Sequence, residues 1–155
     1  MKNKTGIGYF LSPLGFIKIT EKNNKIFSLK FVIFEDEKES ITPLILKAKQ
    51  ELSEYFNKER KYFDLPFTVS GTEFQKKVYN ALTKIPYGKT RSYNDVAVMI
   101  NSAKASRAVG SANNKNNLFL LVPCHRVTRK NGALSGTKEW VKMQKWLIEF
   151  EKGNV

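Results

Sequence analysis

The sequence predicts an α+β chain in which an antiparallel three-stranded sheet with one helix is followed by a small helical part of helix-turn-helix character. Three observations carry this. Short β-rich runs crowd the first 34 residues, helical periodicity fills most of residues 43–151, and the charge balance changes near residue 65. Residues 1–65 hold 12 Lys/Arg against 9 Asp/Glu, and residues 66–155 hold 15 against 5. A division into 1–65 and 66–155 follows.

The elements come in order. Gly6–Leu11, Phe16–Thr20 and Ile26–Phe34 read as strands, the last two joined across Asn23-Asn24, a hairpin signal. Thr42 and Pro43 supply an N-cap and a first-turn proline. Leu44, Ile45, Ala48, Leu52, Tyr55 and Phe56 then recur at helical spacing, so 43–58 is an amphipathic helix covering one sheet face. Tyr62–Phe67, with Pro66, reads as a linker. A helix begins near Thr72 with Phe74, Val78, Tyr79, Leu82 and Ile85 inward, and Pro86-Tyr87-Gly88 ends it. Ser92 caps a short helix through Ile100, with Val96, Ala97 and Ile100 inward. A third, about 103–112, carries Ala105, Ala108, Val109 and Ala112. Two short helices around a tight polar turn have helix-turn-helix spacing. Asn113–Asn117 reads as a loop, Leu118–Val122 as a buried strand, Lys130–Gly132 as a turn and Trp140–Glu151 as the last helix.

Composition excludes several classes. With 41% hydrophobic residues, the chain is not of disordered type. No apolar run approaches 18 residues, and the start, MKNKTGIGYFLSP, is basic but its apolar stretch is too short and too glycine-broken for a signal-peptide core. One cysteine and one histidine cannot supply a zinc site or a disulfide framework, so no metal is expected and the expected compartment is the reducing cytoplasm. The net charge of +13 lies mostly in the C-terminal part, which points to a polyanion, nucleic acid first, or simply to solubility.

That single cysteine and single histidine are adjacent, in Pro123-Cys124-His125-Arg126. A free thiol is mostly protonated at neutral pH, and a neighbouring base changes that. Adjacent side chains on an extended strand point to opposite faces. His125 therefore serves Cys124 only if the backbone turns there, as Pro123 allows, or if a water bridges them. The alternative is an inert buried cysteine.

The segment Leu121–Val127 (LVPCHRV) resembles the active-site signature of the O6-alkylguanine-DNA alkyltransferases. Gly71–Val78, Ile85–Tyr93 and Ala105–Gly110 are also similar to the family's C-terminal domain, in the right order and spacing. The resemblance covers roughly 66–151 strongly, and the N-terminal part in pattern only. It implies a ribonuclease H-like N-terminal domain and a winged helix-turn-helix-like C-terminal one. The implied activity is single-turnover repair, in which O6-alkylguanine, and O4-alkylthymine, is flipped out of duplex DNA and its alkyl group passes irreversibly to Cys124.

The same resemblance assigns roles. His125 takes the thiol proton through a water, and Glu151 orients His125. Tyr93 donates to the guanine ring, and Asn116 braces the active-site turn. Arg107 fills the gap left by the flipped base. Ala105, Ala108, Gly110, Ser111 and Ala112 let their helix approach DNA closely or pack tightly on its neighbours, and Ser106 and Arg126 are grouped with the DNA-binding residues. Leu134, Ser135 and Thr137 belong to the substrate pocket. No cofactor is implied, and the expected partner is double-stranded DNA bearing the lesion, met by a monomer without a membrane.

Departures bear on which alkyl groups fit. Thr137 stands where a pocket tyrosine is usual, Glu139 and Trp140 fall near glycine positions, and Gln144 replaces a usual lysine. Asn117 replaces a proline, and Leu121 an isoleucine. Competing expectations are a non-enzymatic lesion-binding relative, which Cys124 argues against, a winged-helix regulator, which has no need of Pro-Cys-His-Arg, and a cysteine hydrolase, which leaves the DNA-binding helices unexplained.

Overall fold

A computed structural model describes residues 5–155; the basic start at 1–4 lies outside the described residues. The chain divides into two compact units. One contains the described residues up to Val69 together with Asn117–Leu121; the other is Ser70–Asn116 with Val122–Val155.

The first unit is the expected antiparallel meander. Strands β1 (Thr5–Ser12), β2 (Gly15–Lys22) and β3 (Lys25–Val32) pair in sequence order. Asn23 and Asn24 both adopt positive φ, 52° and 62°, which a two-residue hairpin of matching twist requires. β3 stops at Val32, and Ile33 and Phe34 beyond it are exposed. Helix α1 (Pro43–Phe56) starts as its sequence dictates, with Thr42 Oγ1 accepting from the Ile45 amide at 3.1 Å and Pro43 in the first turn. Ile45, Ala48, Leu52 and Tyr55 are buried, the 3.6-residue stripe expected.

Leu118–Val122 is not a strand. Leu120 has φ 72°, and the Leu121 and Cys124 amides donate to carbonyls only two residues back, Phe119 (2.9 Å) and Val122 (2.7 Å). The apolar run is buried as successive tight turns, because a left-handed residue breaks the extended backbone. Its start still serves the sheet. Leu29 of β3 donates to Asn117 O and accepts from Phe119 N, both at 2.9 Å, which satisfies part of the open β3 edge.

The second unit is built from helices α2 (Glu73–Leu82), α3 (Tyr93–Met99), α4 (Ser106–Asn114) and α5 (Lys138–Glu151), with a two-residue parallel pair between β4 (Arg91–Ser92) and β5 (Val127–Thr128). Thr72 with Gln75, and Ser92 with Asp95, form reciprocal capping boxes that fix where α2 and α3 begin. α4 begins three residues later than expected and takes in Asn113 and Asn114, which the asparagine-rich composition had suggested as loop. Asn113 stays helical because its side chain is buried and reaches the Cys124 carbonyl at 3.5 Å. The short β4–β5 pair has no periodicity to read in sequence. Among the described residues, no helix is long and apolar enough to cross a membrane.

Candidate active site

The backbone does turn at Pro123. Its ψ of 68° leaves extended geometry, and Cys124–Arg126 follows as one turn of 3-10 helix. Three residues per turn send consecutive side chains in three directions, so Cys124, His125 and Arg126 each meet different partners. Side chains from other elements hold this turn. Gln144 of α5 donates to the His125 carbonyl (3.2 Å) and the Val127 carbonyl (2.7 Å). Asn116 donates to Val122 O at 2.9 Å and hydrogen-bonds the Cys124 thiol. Asn113 of α4 reaches Cys124 O at 3.5 Å.

Behind the turn lies a buried charged cluster. Glu151, the last residue of α5, is buried although it lies only four residues from the end of the sequence. Its Oε2 meets His125 Nε2 at 2.8 Å, and Arg126 clamps both oxygens, Nε to Oε1 at 2.8 Å and Nη2 to Oε2 at 2.9 Å. Such a two-pronged pairing is the strong geometry for arginine with a carboxylate. Arg126 Nη1 also donates to Ile85 O (2.8 Å), and the Gly88 amide donates to Glu151 Oε1 (3.2 Å). Gly88 is required twice over: its φ is 79°, and a Cβ there would lie 3.2 Å from the Glu151 carbonyl oxygen.

These contacts set the protonation states. Burial pushes Glu151 up, but the charges beside it outweigh burial and hold it well below the usual carboxylate range. The permanent cation there is Arg126. Burial lowers His125, and the Glu151 carboxylate only partly restores it. Arg126 already balances Glu151, so a protonated His125 would add an unpaired buried charge. His125 is therefore neutral. An ionised Glu151 can only accept, so Nε2 carries the imidazole proton and Nδ1 keeps its lone pair. Burial pushes the Cys124 thiol up to about 11, outweighing the hydrogen bond from Asn116 that lowers it. At neutral pH the sulfur is therefore a protonated thiol.

Tyr93, the first residue of α3, lies beside Gly110 of α4; a Cβ on Gly110 would sit 3.9 Å from its ring. The Tyr93 hydroxyl is 3.0 Å from Ser135 Oγ. Along α4, Val109, Ala112 and Asn113 face inward, whereas Arg107, Ala108 and Ser111 are exposed. The outward face is thus one arginine flanked by side chains too small to hold a partner away. Ala105 caps this helix without a side-chain bond, and Ser106 Oγ reaches Asn94 Oδ1 at 3.3 Å.

Comparison with known proteins decides the family. Residues 73–153 match the 6-O-methylguanine DNA methyltransferase DNA binding domain, and residues 7–69 match the ribonuclease-like domain of the same name. The constitutive methylated-DNA–protein-cysteine methyltransferase of Bacillus subtilis is 49% identical over 135 residues, 81% of each chain. The Methanosarcina acetivorans methyltransferase is 40% identical over 151 residues, covering 92% of this chain and 95% of its own. The crystal structure of Mycobacterium tuberculosis OGT in complex with DNA matches with a TM-score of 0.85 at 34% identity, over 95% of this chain and 92% of that one.

The chain belongs to the 6-O-methylguanine DNA methyltransferase family.

Within this methyltransferase, the structure brings Cys124, His125, Glu151 and Asn116 together around one turn, and Tyr93 and Ser135 to each other. Arg126 does not sit on an exposed DNA-facing surface, as its grouping had it. Grouped with the DNA-binding residues, it is instead 6% exposed and committed to Glu151 and Ile85 O. The reason is electrostatic: a buried carboxylate needs a buried cation, and Arg126 is the one that reaches it. Thr137 supplies the N-cap of α5, Oγ1 accepting from the Trp140 amide at 3.1 Å, and is exposed rather than an aromatic wall. Leu134 is half-buried and lines a cavity of about 380 Å³ with Thr128, Lys145 and Ile148.

Sequence reasoning missed the work of Gln144, Asn113 and the Ile85–Gly88 backbone. In the sequence Gln144 stands out only as a departure from a usual lysine. A buried polar residue in the apolar stripe of α5 was the signal available for it.

Proposed function

We propose that the chain repairs O6-alkylguanine in duplex DNA, and O4-alkylthymine, by moving the alkyl group once and irreversibly to its own Cys124. The observation that carries this is the 2.8 Å contact of His125 Nε2 with Glu151 Oε2, on the residue next to the buried Cys124 and within the matched 6-O-methylguanine DNA methyltransferase segment.

The thiol near 11 leaves on the order of one molecule in 10⁴ as thiolate at pH 7, so ionisation cannot precede binding to any useful extent. The proton leaves Sγ for His125 Nδ1 through one water, and Glu151, 2.8 Å from Nε2, offsets part of the cost of a transient imidazolium that the Arg126 pairing leaves without a full counter-charge. The sulfur lone pair attacks the alkyl carbon in line, forming S–C as C–O6 breaks. The guanine ring accepts a hydrogen bond from Tyr93 as negative charge builds on it; the guanine anion then takes up one proton from water while the His125 imidazolium releases one, so the repaired base leaves neutral and His125 returns to its resting state. The thioether has no reverse route, because hydrolysis does not cleave it and the chain has no second cysteine for exchange.

An alkylated O6 inside a duplex is out of reach of any sulfur, so the base must be extruded at a cost of a few kcal/mol. The exposed α4 face fits that demand. Arg107 enters the stack in place of the base, and Ala108 and Ser111 allow close approach along the minor groove, with little sequence preference. We place this activity in a monomer acting in the cytoplasm.

The test is duplex DNA carrying O6-methylguanine labelled in the methyl group. Label transfers to protein and saturates near one equivalent. Continued turnover rejects the suicide mechanism, and lesion binding without transfer supports the non-enzymatic alternative.

A further inference from the structure

We infer that Ser135 is a positioning residue for the reaction, acting through Tyr93: its hydroxyl donates to Tyr93 Oη and so leaves the tyrosine proton aimed at the extruded base. This rests on the proposed role of Tyr93 as donor to the guanine ring.

The geometry begins with one contact. Tyr93 Oη and Ser135 Oγ are 3.0 Å apart and partly buried, and either can be the donor. Two hydroxyls in contact share one hydrogen bond, so one proton is left over for a third group. In the free protein both arrangements are open. A guanine ring nitrogen offers only a lone pair, so once the base arrives the tyrosine must give its proton to it. Ser135 is then the member of the pair that still has a proton to give to Tyr93 Oη. The chain runs from Ser135 Oγ–H to Tyr93 Oη–H to the base. A hydroxyl that accepts a hydrogen bond becomes a better donor, and this strengthening is largest where charge grows on the leaving group.

Both partners are held in place. Tyr93 is fixed at the start of a capped helix with its ring beside Gly110. Ser135 precedes Gly136, whose φ of 124° suits glycine and where a Cβ would lie 2.9 Å from Trp140 Cδ1. Thr137 then caps α5. Two of the departures in this loop thus have a use: Thr137 and Trp140, together with Gly136, fix the backbone that presents the serine hydroxyl.

The experiment is a double-mutant cycle in the full chain with Ser135→Ala, Ser135→Thr, Tyr93→Phe and the Ser135→Ala/Tyr93→Phe pair. Its readout is the single-turnover rate of methyl transfer from an O6-methylguanine duplex, resolved into the rate at saturating DNA and the half-saturating concentration. Removing one net hydrogen bond predicts a saturating rate about five- to tenfold lower for Ser135→Ala, with half-saturation unchanged. Ser135→Thr, which keeps the hydroxyl, restores most of the rate. In the Tyr93→Phe background, Ser135→Ala changes the rate by less than about twofold, because no tyrosine oxygen remains to accept. An equal loss in both backgrounds, or a full rate in Ser135→Ala, overturns the inference. A Tyr93→Phe variant as fast as the natural protein removes the Tyr93 role itself, which separates failure of the underlying reading from failure of the serine.

Discussion

Replacing Glu151 by Gln removes the charge around which the buried cluster is built. The carboxylate accepts from Arg126 at 2.8 and 2.9 Å, from His125 Nε2 at 2.8 Å and from the Gly88 amide at 3.2 Å. A glutamine has one carbonyl oxygen for these four donors, and its own NH2 must face one of them. Arg126, 6% exposed, then has Ile85 O and at best a share of that one neutral amide oxygen in place of a two-pronged carboxylate. Breaking a buried ion pair from one side costs about 3–5 kcal/mol. Against a typical stability of about 5–15 kcal/mol, the variant still folds at low temperature but with a much lower urea midpoint. Arg126→Met strands the carboxylate instead, at similar cost. The Glu151→Gln/Arg126→Met pair removes both charges, so its loss falls short of the sum of the singles by about 2 kcal/mol or more. Urea unfolding at pH 7 with unchanged slope measures all three. A Glu151→Gln loss under about 1 kcal/mol, or singles that add within about 0.5 kcal/mol, refutes the buried cluster as the anchor of the turn.

Other expectations follow from the same geometry. Cys124→Ala abolishes methyl transfer and leaves binding of lesion duplex largely intact, as gel shift or anisotropy shows; residual transfer reassigns the nucleophile. The folded-state thiol near 11 lies above its ordinary value of 9.0, so it contributes stability that is complete below about pH 9 and is lost as pH rises toward 11. The full loss is about 2–3 kcal/mol, and Cys124→Ser lacks it; parallel pH–stability curves for the two proteins contradict the burial of a protonated thiol. Arg107→Ala weakens lesion-dependent extrusion, followed by 2-aminopurine fluorescence beside the lesion, and lowers the salt slope of duplex binding by about one. Unchanged slope and transfer rate remove Arg107 from the DNA face.

Most elements of the fold were legible because local rules and burial agreed. Thr42-Pro43, Thr72 with Gln75 and Ser92 with Asp95 mark helix starts by chemistry that needs no tertiary partner. The Leu118–Val122 run misled because apolar content reports burial, not backbone conformation, and Leu120 alone carries the left-handed twist. Asn113 misled the other way: its composition signals a loop, yet a buried contact with Cys124 O keeps it in α4. The site was legible at the Cys124-His125 pair, since both are unique and adjacent. The pairing of Arg126 with Glu151 was not, because the two residues are 25 apart in sequence and only the fold shows them sharing one buried volume. Ser135 and Tyr93, 42 apart, meet for the same reason.

The most direct measurement is intact-protein and peptide mass spectrometry after incubation with excess O6-methylguanine duplex, following guanine in the DNA in parallel. The expected result is one added methyl group per chain, on the peptide carrying Cys124, equal in amount to the lesions removed. Lesions lost while that peptide keeps its original mass would contradict the account.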